Sequence, residues 1–325
     1  MKSALITGIA GQDGRHLAKL LLSKNYTVYG MLNGQRQESS KLLSSELPNV
    51  IQVNGDLADS SSLISVLALT QPDEIYNLAA ISFVGMSFTQ PELTSNITGL
   101  GVLRLLEAIR IIGLADKTKM YQASSSEMFG RVRETPQTEA TPFHPRSPYG
   151  VAKCFAHYAC VNYREAYDMY VGCGILFNHE GEYRGTEFVT RKISQTVARI
   201  SVGLSHELRL GNLTPKRDWG YAGDYVEAMW RILQQPKADD FVIATGETHS
   251  VREFVDLAFK YAGLEGEADK YLKTDERFYR PAEVDLLIGD PSKAKEVLGW
   301  RPTVDFENLV RIMVENDLRI EASRS

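Results

Sequence analysis

The feature that most limits what this chain can fold into is the glycine-spaced turn Gly8-Ile9-Ala10-Gly11-Gln12-Asp13-Gly14, set between an apolar run at residues 4–7 and an amphipathic segment at 14–23. Glycines at this spacing allow a tight strand-to-helix turn and let backbone approach a pyrophosphate, which then sits on the positive N-terminus of the helix. With a second apolar run at 27–32 the segment makes one βαβ unit. The alternation continues through runs at 50–53, 74–78, 119–122 and 171–177, with helical patterns at 60–69, 93–112 and 148–167. Such alternation predicts an α/β fold built on a doubly wound, parallel, Rossmann-like sheet.

Beyond residue 178 the pattern becomes irregular. Helical periodicity recurs at 190–202, 224–235, 251–262, 291–298 and 306–318, short strands are expected at 207–210 and 240–244, and a charged, loop-like stretch covers 265–283. The expected organisation is a dinucleotide-binding domain over 1–178, with part of 213–245 returning to it. A smaller, mostly C-terminal α/β substrate lobe takes up 179–325 and interleaves with the first.

Composition narrows the class of partner. A chain of 325 residues that is 43% hydrophobic can bury a full core. A formal net charge of -5 supplies no basic field, so nucleic acid is not an expected partner, and a phosphorylated ligand must find local Arg and Lys. Cys154, Cys160 and Cys173 crowd into one stretch without paired spacing or ligand-spaced histidines; the reading is reduced thiols, no metal site and a cytoplasmic protein. Residues 1–7 reach glycine before any long apolar run, and no later run has bilayer length, so neither a signal peptide nor a membrane span is expected.

In a doubly wound sheet the ligand lies beyond the C-terminal ends of the strands. This nominates Gly8, Gly11, Gln12, Asp13 and Gly14, then Asp56 and Leu57 after the third strand, then Leu78, Ala79 and Ala80 after the fourth. Asp56 either accepts a bond from an adenine amino group or caps a helix. After the second strand comes Asn33-Gly34-Gln35-Arg36-Gln37-Glu38-Ser39, with no carboxylate at the strand end. Arg36 there points to a 2'-phosphate and NADP, whereas Glu38 could serve a ribose hydroxyl and NAD.

Tyr149 and Lys153, four apart on a helix, share one face. They are either a surface pair or a base whose phenol the ammonium holds near ionisation. Ser124-Ser125-Ser126-Glu127 follows the fifth strand, where Ser125 either caps a turn or relays protons with Tyr149. Hydride transfer at one carbon needs no further acid, yet Glu127 adds one. Beside a ketone formed at C4 of a hexose, a carboxylate can take the acidified C5 proton and give one to the departing C6 hydroxyl, eliminating water.

Over nearly its full length the chain resembles the GDP-mannose 4,6-dehydratase family of the extended short-chain dehydrogenase/reductases. The stretches that carry the resemblance include GIAGQDG (8–14), YNLAA (76–80), QASSSEMFG (122–130), RSPYGVAK (146–153), ILFNHE (175–180), FVTRKI (188–193), RDWG (217–220) and RPAEVD (280–285). It implies conversion of GDP-D-mannose to GDP-4-keto-6-deoxy-D-mannose with an NADP cofactor, in deoxysugar biosynthesis. Ser125 then stands where threonine is usual, Glu127 is base and acid, Tyr149 is the base for the sugar 4-hydroxyl, and Lys153 holds the nicotinamide ribose. The resemblance also implies that Asn178 and Lys192 touch the substrate, that Arg217 and Arg280 approach its diphosphate or nucleotide, and that His179 and Arg184 touch the cofactor.

A homodimer or homotetramer is likewise implied. Where the family has two arginines and serines that bind the NADP phosphate and help build a tetramer, this chain has Gly34-Gln35-Arg36-Gln37, and Gly181-Glu182-Tyr183 replaces the usual Ser-Pro. A related GDP-sugar such as a heptose would suit the same residues. A nucleotide-sugar epimerase or 4-ketoreductase would share Tyr149 and Lys153 but not require Glu127.

Overall fold

The computed structural model describes residues 1–34, 37–275 and 286–323. The first half runs β1 (Ser3–Thr7), α1 (Gln12–Ser23), β2 (Thr27–Leu32), α2 (Gln37–Glu46), β3 (Ile51–Asn54), α3 (Ser60–Thr70) and β4 (Glu74–Asn77). After α4 (Val84–Thr89) and α5 (Pro91–Thr94) a π-helical stretch, Ser95–Leu100, leads into α6 (Gly101–Ile111), β5 (Lys119–Ser125), α7 (Pro148–Tyr167) and β6 (Val171–Leu176). The second half is built from β7 (Asn178–Glu180), α8 (Val189–Ser201), β8 (Leu208–Leu210), β9 (Lys216–Arg217), β10 (Trp219–Tyr221), α9 (Ala222–Leu233) and β11 (Asp240–Ile243). It closes with β12 (His249–Ser250), α10 (Val251–Tyr261), α11 (Ala268–Tyr271), β13 (Leu272–Thr274), β14 (Leu286–Leu287), α12 (Ser292–Val297) and α13 (Phe306–Ala322).

Seven strands form one parallel sheet in the order β11-β6-β5-β4-β1-β2-β3. Strands buried on both faces read as continuous apolar runs, as in Ala4-Leu5-Ile6 and all of β6. One face packs Leu17, Leu21 and Met229 of α1 and α9, joined by Ala294, Leu298 and Trp300 from near the C-terminus. The other packs α3, α6 and α7 through Leu67, Leu105, Ile109 and Ala156. Each fully buried Val, Leu or Ile side chain contributes on the order of 2 kcal/mol. The chain winds from β1 out to β3 and then crosses back to β4 beside β1, so a crevice opens between the C-terminal ends of β1 and β4.

A separate cluster in the second half gathers Trp219, Phe254 and Met313 among α8, α10 and α13. Small sheets flank it: β10-β7, β12-β9-β14 and β13-β8. Although β11 comes from this half of the sequence, it completes the edge of the main sheet through β6.

Two expectations change, and two helices are added. The helix over 93–112 is interrupted by the π stretch; at Gly101 a Cβ would come 2.8 Å from the Leu57 Cβ, and the interrupted segment is wedged between that loop and α7. The stretch at 265–283 contains α11 and β13, and its remainder from residue 276 lies outside the described residues. Helices α2 and α4 arise where the periodicity was too weak to predict them. Among the described residues no helix is long and apolar enough to cross a membrane.

Candidate active site

A cleft of about 1260 Å³ lies along the C-terminal ends of the central strands. Its walls carry the glycine turn, Asp56 and Leu57, Leu78 to Ala80, and Ser125, Glu127, Tyr149 and Lys153. Asn178, His179, Arg184, Lys192 and Arg217 line it as well. Arg36 and Arg280 lie outside the described residues.

At the glycine turn, close approach is built in. Gly8 has φ +70°, and a Cβ there would sit 2.9 Å from the Ala79 amide nitrogen. Thr7 fixes that approach: its hydroxyl donates to Asn77 Oδ1 (2.7 Å) and accepts from the amides of Leu78 and Ala79 (3.1 Å each). A Cβ at Gly14 would meet the Gly8 carbonyl oxygen at 2.5 Å, so side chains at either position would fill the cradle. Helix α1 starts behind Gly11 with no side-chain cap, which leaves its N-terminal amides suited to an anion.

Asp13 in that first turn would repel a phosphate if its charge were bare. His179 compensates it, with Nε2 2.9 Å from Asp13 Oδ2, while Nδ1 faces the Phe177 carbonyl at 2.8 Å. Burial alone would raise the Asp13 pKa, but His179, the bond from Gln12 and the charge of Arg184 outweigh it and hold the carboxyl at about 2. Burial pushes His179 down, but Asp13 and the Phe177 carbonyl leave it raised, which favours an imidazolium. The donor set and the cradle therefore fit a dinucleotide pyrophosphate. Asp56 is not a helix cap: it accepts from the Ala58 amide (2.8 Å) and Asn33 Nδ2 (2.7 Å), and Asp59 caps α3.

At the other end of the cleft, α7 is set by its start. Ser147 accepts from the Gly150 amide (3.0 Å) and Pro148 occupies the first turn, a cap that contributes about 1 kcal/mol. Tyr149 and Lys153 follow on the face toward β5, both buried. Lys153 Nζ lies 5.7 Å from the Tyr149 ring centroid and donates to the Ala123 carbonyl at 2.6 Å. Burial pushes the Tyr149 phenol up; its hydrogen bond with Ser125 and the charge of Arg184 pull down, while Glu127 pushes up. Burial also lowers Lys153 to about 8, against the pull of Asp13.

Burial of both side chains sets aside the reading as a surface pair. The ammonium gives one of its three donors to the Ala123 carbonyl, and Ser125 and Arg184 both pull the phenol's pKa down. Ser125 both caps a turn and meets Tyr149. Besides meeting Tyr149, its Oγ accepts from the Glu127 amide (3.2 Å) and caps the short turn Ser126–Met128 that carries Glu127 into the cleft.

Asn178 opens β7, Lys192 lies in α8, and Arg217 ends β9 with Nη1 donating to the Lys216 carbonyl (2.9 Å). Beside Arg217 the fully buried Asp218 accepts from the Thr245 amide (2.8 Å) and hydroxyl (2.7 Å), the Gly246 amide (3.0 Å) and the Gly289 amide (3.3 Å). It pins β9 to two distant loops. Arg184 is held by Glu180 (2.8 Å) and lies 3.5 Å over the Phe188 ring, which meets Phe83 edge-on at 5.9 Å. Asp218, Phe83 and Phe188 were not singled out from the sequence; only the RDWG and FVTRKI stretches pointed near two of them.

A parallel sheet with this turn at its switch point, and a Tyr, Lys and Ser converging in the cleft, defines a short-chain dehydrogenase/reductase. The solved UDP-glucose 4-epimerase of Thermus thermophilus, a complex with NAD, superposes with a TM-score of 0.83 at 27% identity, covering 97% of this chain and 98% of that one. Within that class the chain belongs to the GDP-mannose 4,6 dehydratase family, which matches residues 5–313. It is 51% identical over 341 residues to the GDP-mannose 4,6 dehydratase of Dictyostelium discoideum, covering 98% of this chain and 96% of its relative. It is also 51% identical over 329 residues to GDP-mannose 4,6 dehydratase 1 of Arabidopsis thaliana, covering 98% and 90%.

Proposed function

We infer that the protein is a hydro-lyase that converts GDP-D-mannose to GDP-4-keto-6-deoxy-D-mannose and water. The observation that carries this reading is the position of Glu127, on a turn capped by Ser125 in the same cleft as Tyr149 and Lys153. A cleft built for hydride transfer alone has no use for that carboxylate.

The chemistry that a bound, oxidised nicotinamide supplies is reversible storage of one hydride, taken from C4 and returned to C6. Tyr149 takes the proton of the sugar 4-hydroxyl, with Ser125 sharing its hydrogen bond and Arg184 favouring the phenolate. Glu127 removes the C5 proton, now acidified by the neighbouring ketone, and donates a proton to the C6 hydroxyl, which leaves as water. With Glu127 back as a carboxylate, C5 is reprotonated at the expense of the proton that Tyr149 took from the 4-hydroxyl, exchanged through solvent, so the sum is loss of one water with no net oxidation. The N-terminus of α1 and the Gly8 turn would hold the cofactor pyrophosphate, with Asp13 neutralised by His179. Lys153 would hold the nicotinamide ribose, and Asn178, Lys192, Arg217 and Arg280 the GDP-sugar.

NADP is the cofactor we propose. Asn33 and Gly34, the described residues that directly follow β2, bring no carboxylate of their own, and Asp56, at the end of β3, is engaged by Asn33 and Ala58. A cytoplasmic homo-oligomer in deoxysugar biosynthesis completes the reading. Incubating the purified protein with GDP-mannose, NADP and no added reductant should yield a product lighter by one water. An unchanged substrate mass would overturn the assignment, and identification of the nucleotide released by denaturation decides between NADP and NAD.

A further inference from the structure

Helix α7 grips β5 at two successive residues, and only one grip belongs to the Tyr-Lys pair. Lys153 donates to the carbonyl of Ala123. One turn further on, His157 Nδ1 lies 3.0 Å from the hydroxyl of Ser124, next in the strand and itself on the cleft wall. Residues four apart on a helix lie one above the other, so the two contacts stack along a single face. They set how far α7 sits along β5, and with it how Tyr149 meets Ser125.

His157 is buried and has further polar neighbours behind it. Its Nε2 lies 3.7 Å from Asp240 Oδ2 at the start of β11, and it bonds the Cys173 thiol of β6. Arg164 holds both Asp240 oxygens, at 2.9 and 3.1 Å. Cys160, on the same helix, bonds Cys173, and both burial and that bond keep the Cys173 thiol protonated. The ligand atoms of His157, Cys173 and Asp240 fall within 4.8 Å of one another, but the Arg164 fork on the carboxylate disfavours a cation there. The cluster is better suited to fixing the imidazole than to holding a metal.

We propose that His157 is a positioning residue for the reaction, holding Ser124 and thereby the register of β5 against the helix that carries Tyr149 and Lys153. A neutral imidazole protonated at Nε2 accepts the Ser124 hydroxyl proton at Nδ1. An imidazolium donates from both nitrogens, so the Ser124 hydroxyl becomes the acceptor and its own proton is released toward another partner. The charge state of a residue outside the cleft therefore changes a hydrogen bond on its wall. Burial works against the charged form, Asp240 and Cys173 favour it and Arg164 opposes it, with the balance raised.

The inference rests on the roles given to Tyr149 and Lys153, which Tyr149→Phe tests separately. His157→Gln keeps a polar side chain of similar reach but cannot ionise. It should lower kcat about tenfold through misplaced reacting groups, leave the KM for the sugar nucleotide within about twofold, and remove one ionisation from the pH profile of kcat. Ser124→Ala deletes the other half of the contact without emptying the core and should remove the same ionisation, which keeps the proposal testable if the His157 variant fails to fold. A purely structural residue would lower thermal stability and leave the shape of the pH profile alone. Profiles of a folded variant that superimpose on the parent's after scaling would overturn the proposal.

Discussion

On one wall of the cleft the contributing side chains hang from the ends of β1 and β5, strands of 5 and 7 residues inside the seven-stranded sheet. On the facing wall Asn178 and Arg217 hang from strands of 3 and 2 residues. The first wall is held by apolar layers on both faces of the sheet. The second has its own apolar cluster among α8, α10 and α13 and is further cross-linked by buried acids: Asp218 to Thr245, Gly246 and Gly289, Glu180 to Thr190, Asp317 to Ser194 and Arg191, and Asp224 to Thr303 and Val304. Hydrophobic burial is non-directional and tolerant, whereas a buried carboxylate is satisfied only by donors at defined places. The wall to which we assign hydride and proton transfer thus rests on non-directional packing, and the wall to which we assign the sugar nucleotide adds several polar pins to its own apolar cluster.

The difference can be broken from either side. The largest effect is expected on the sheet wall, from Tyr149→Phe, which removes the base while leaving the ring in its packing. Turnover should fall by roughly 10²–10⁴-fold, with the melting temperature little changed, in steady-state and thermal assays side by side. A drop in stability with retained turnover would mean that Tyr149 is only a packing residue.

A smaller effect of opposite character should come from Asp218→Asn, which turns a fourfold acceptor into a group that also donates toward donors. The expected loss is about 2 kcal/mol in denaturant unfolding, with KM for GDP-mannose raised more than kcat is lowered. Unchanged stability would show that the second wall is not held by its acids.

The smallest effect is a pH window that links the walls through Asp13 and His179. The Asp13 pKa is lowered from 3.8 to about 2, so its contribution is complete above 3.8 and is lost as the pH falls toward 2. His179 is raised above 6.5, so its contribution is complete below 6.5 and fades as the pH rises beyond it. Without added nucleotide, His179→Gln should therefore lower the melting temperature most between pH 3.8 and 6.5, and less on either side. A difference that does not vary with pH would rule out the ion pair as its source.

The same contrast explains what was legible in the sequence. Strands β1, β2 and β6 and helices α1 and α7 follow from short apolar runs, a proline and glycines, because each answers to local periodicity. The cleft residues at Gly8 to Gly14, Asp56, Leu78 to Ala80 and Ser125 to Glu127 follow with them, since parallel strands deliver their C-terminal ends to one crevice. Pairing across 166 positions, as between Asp13 and His179, leaves no periodic trace, nor does Asp218 or the Ser124–His157 contact. Spacing likewise placed Lys153 beside Tyr149 but could not tell that its ammonium would also donate to the Ala123 carbonyl.

The central claim is that Glu127 turns a hydride transfer into a dehydration, and Glu127→Gln tests it most directly. Mixed with GDP-mannose and stoichiometric NADP, the variant should show the absorbance of reduced nicotinamide rising by no more than one turnover, with no 4-keto-6-deoxy sugar in the mass spectrum. Formation of the deoxy sugar at the parent's rate would contradict the account, because the C5 proton would then be leaving by way of another group.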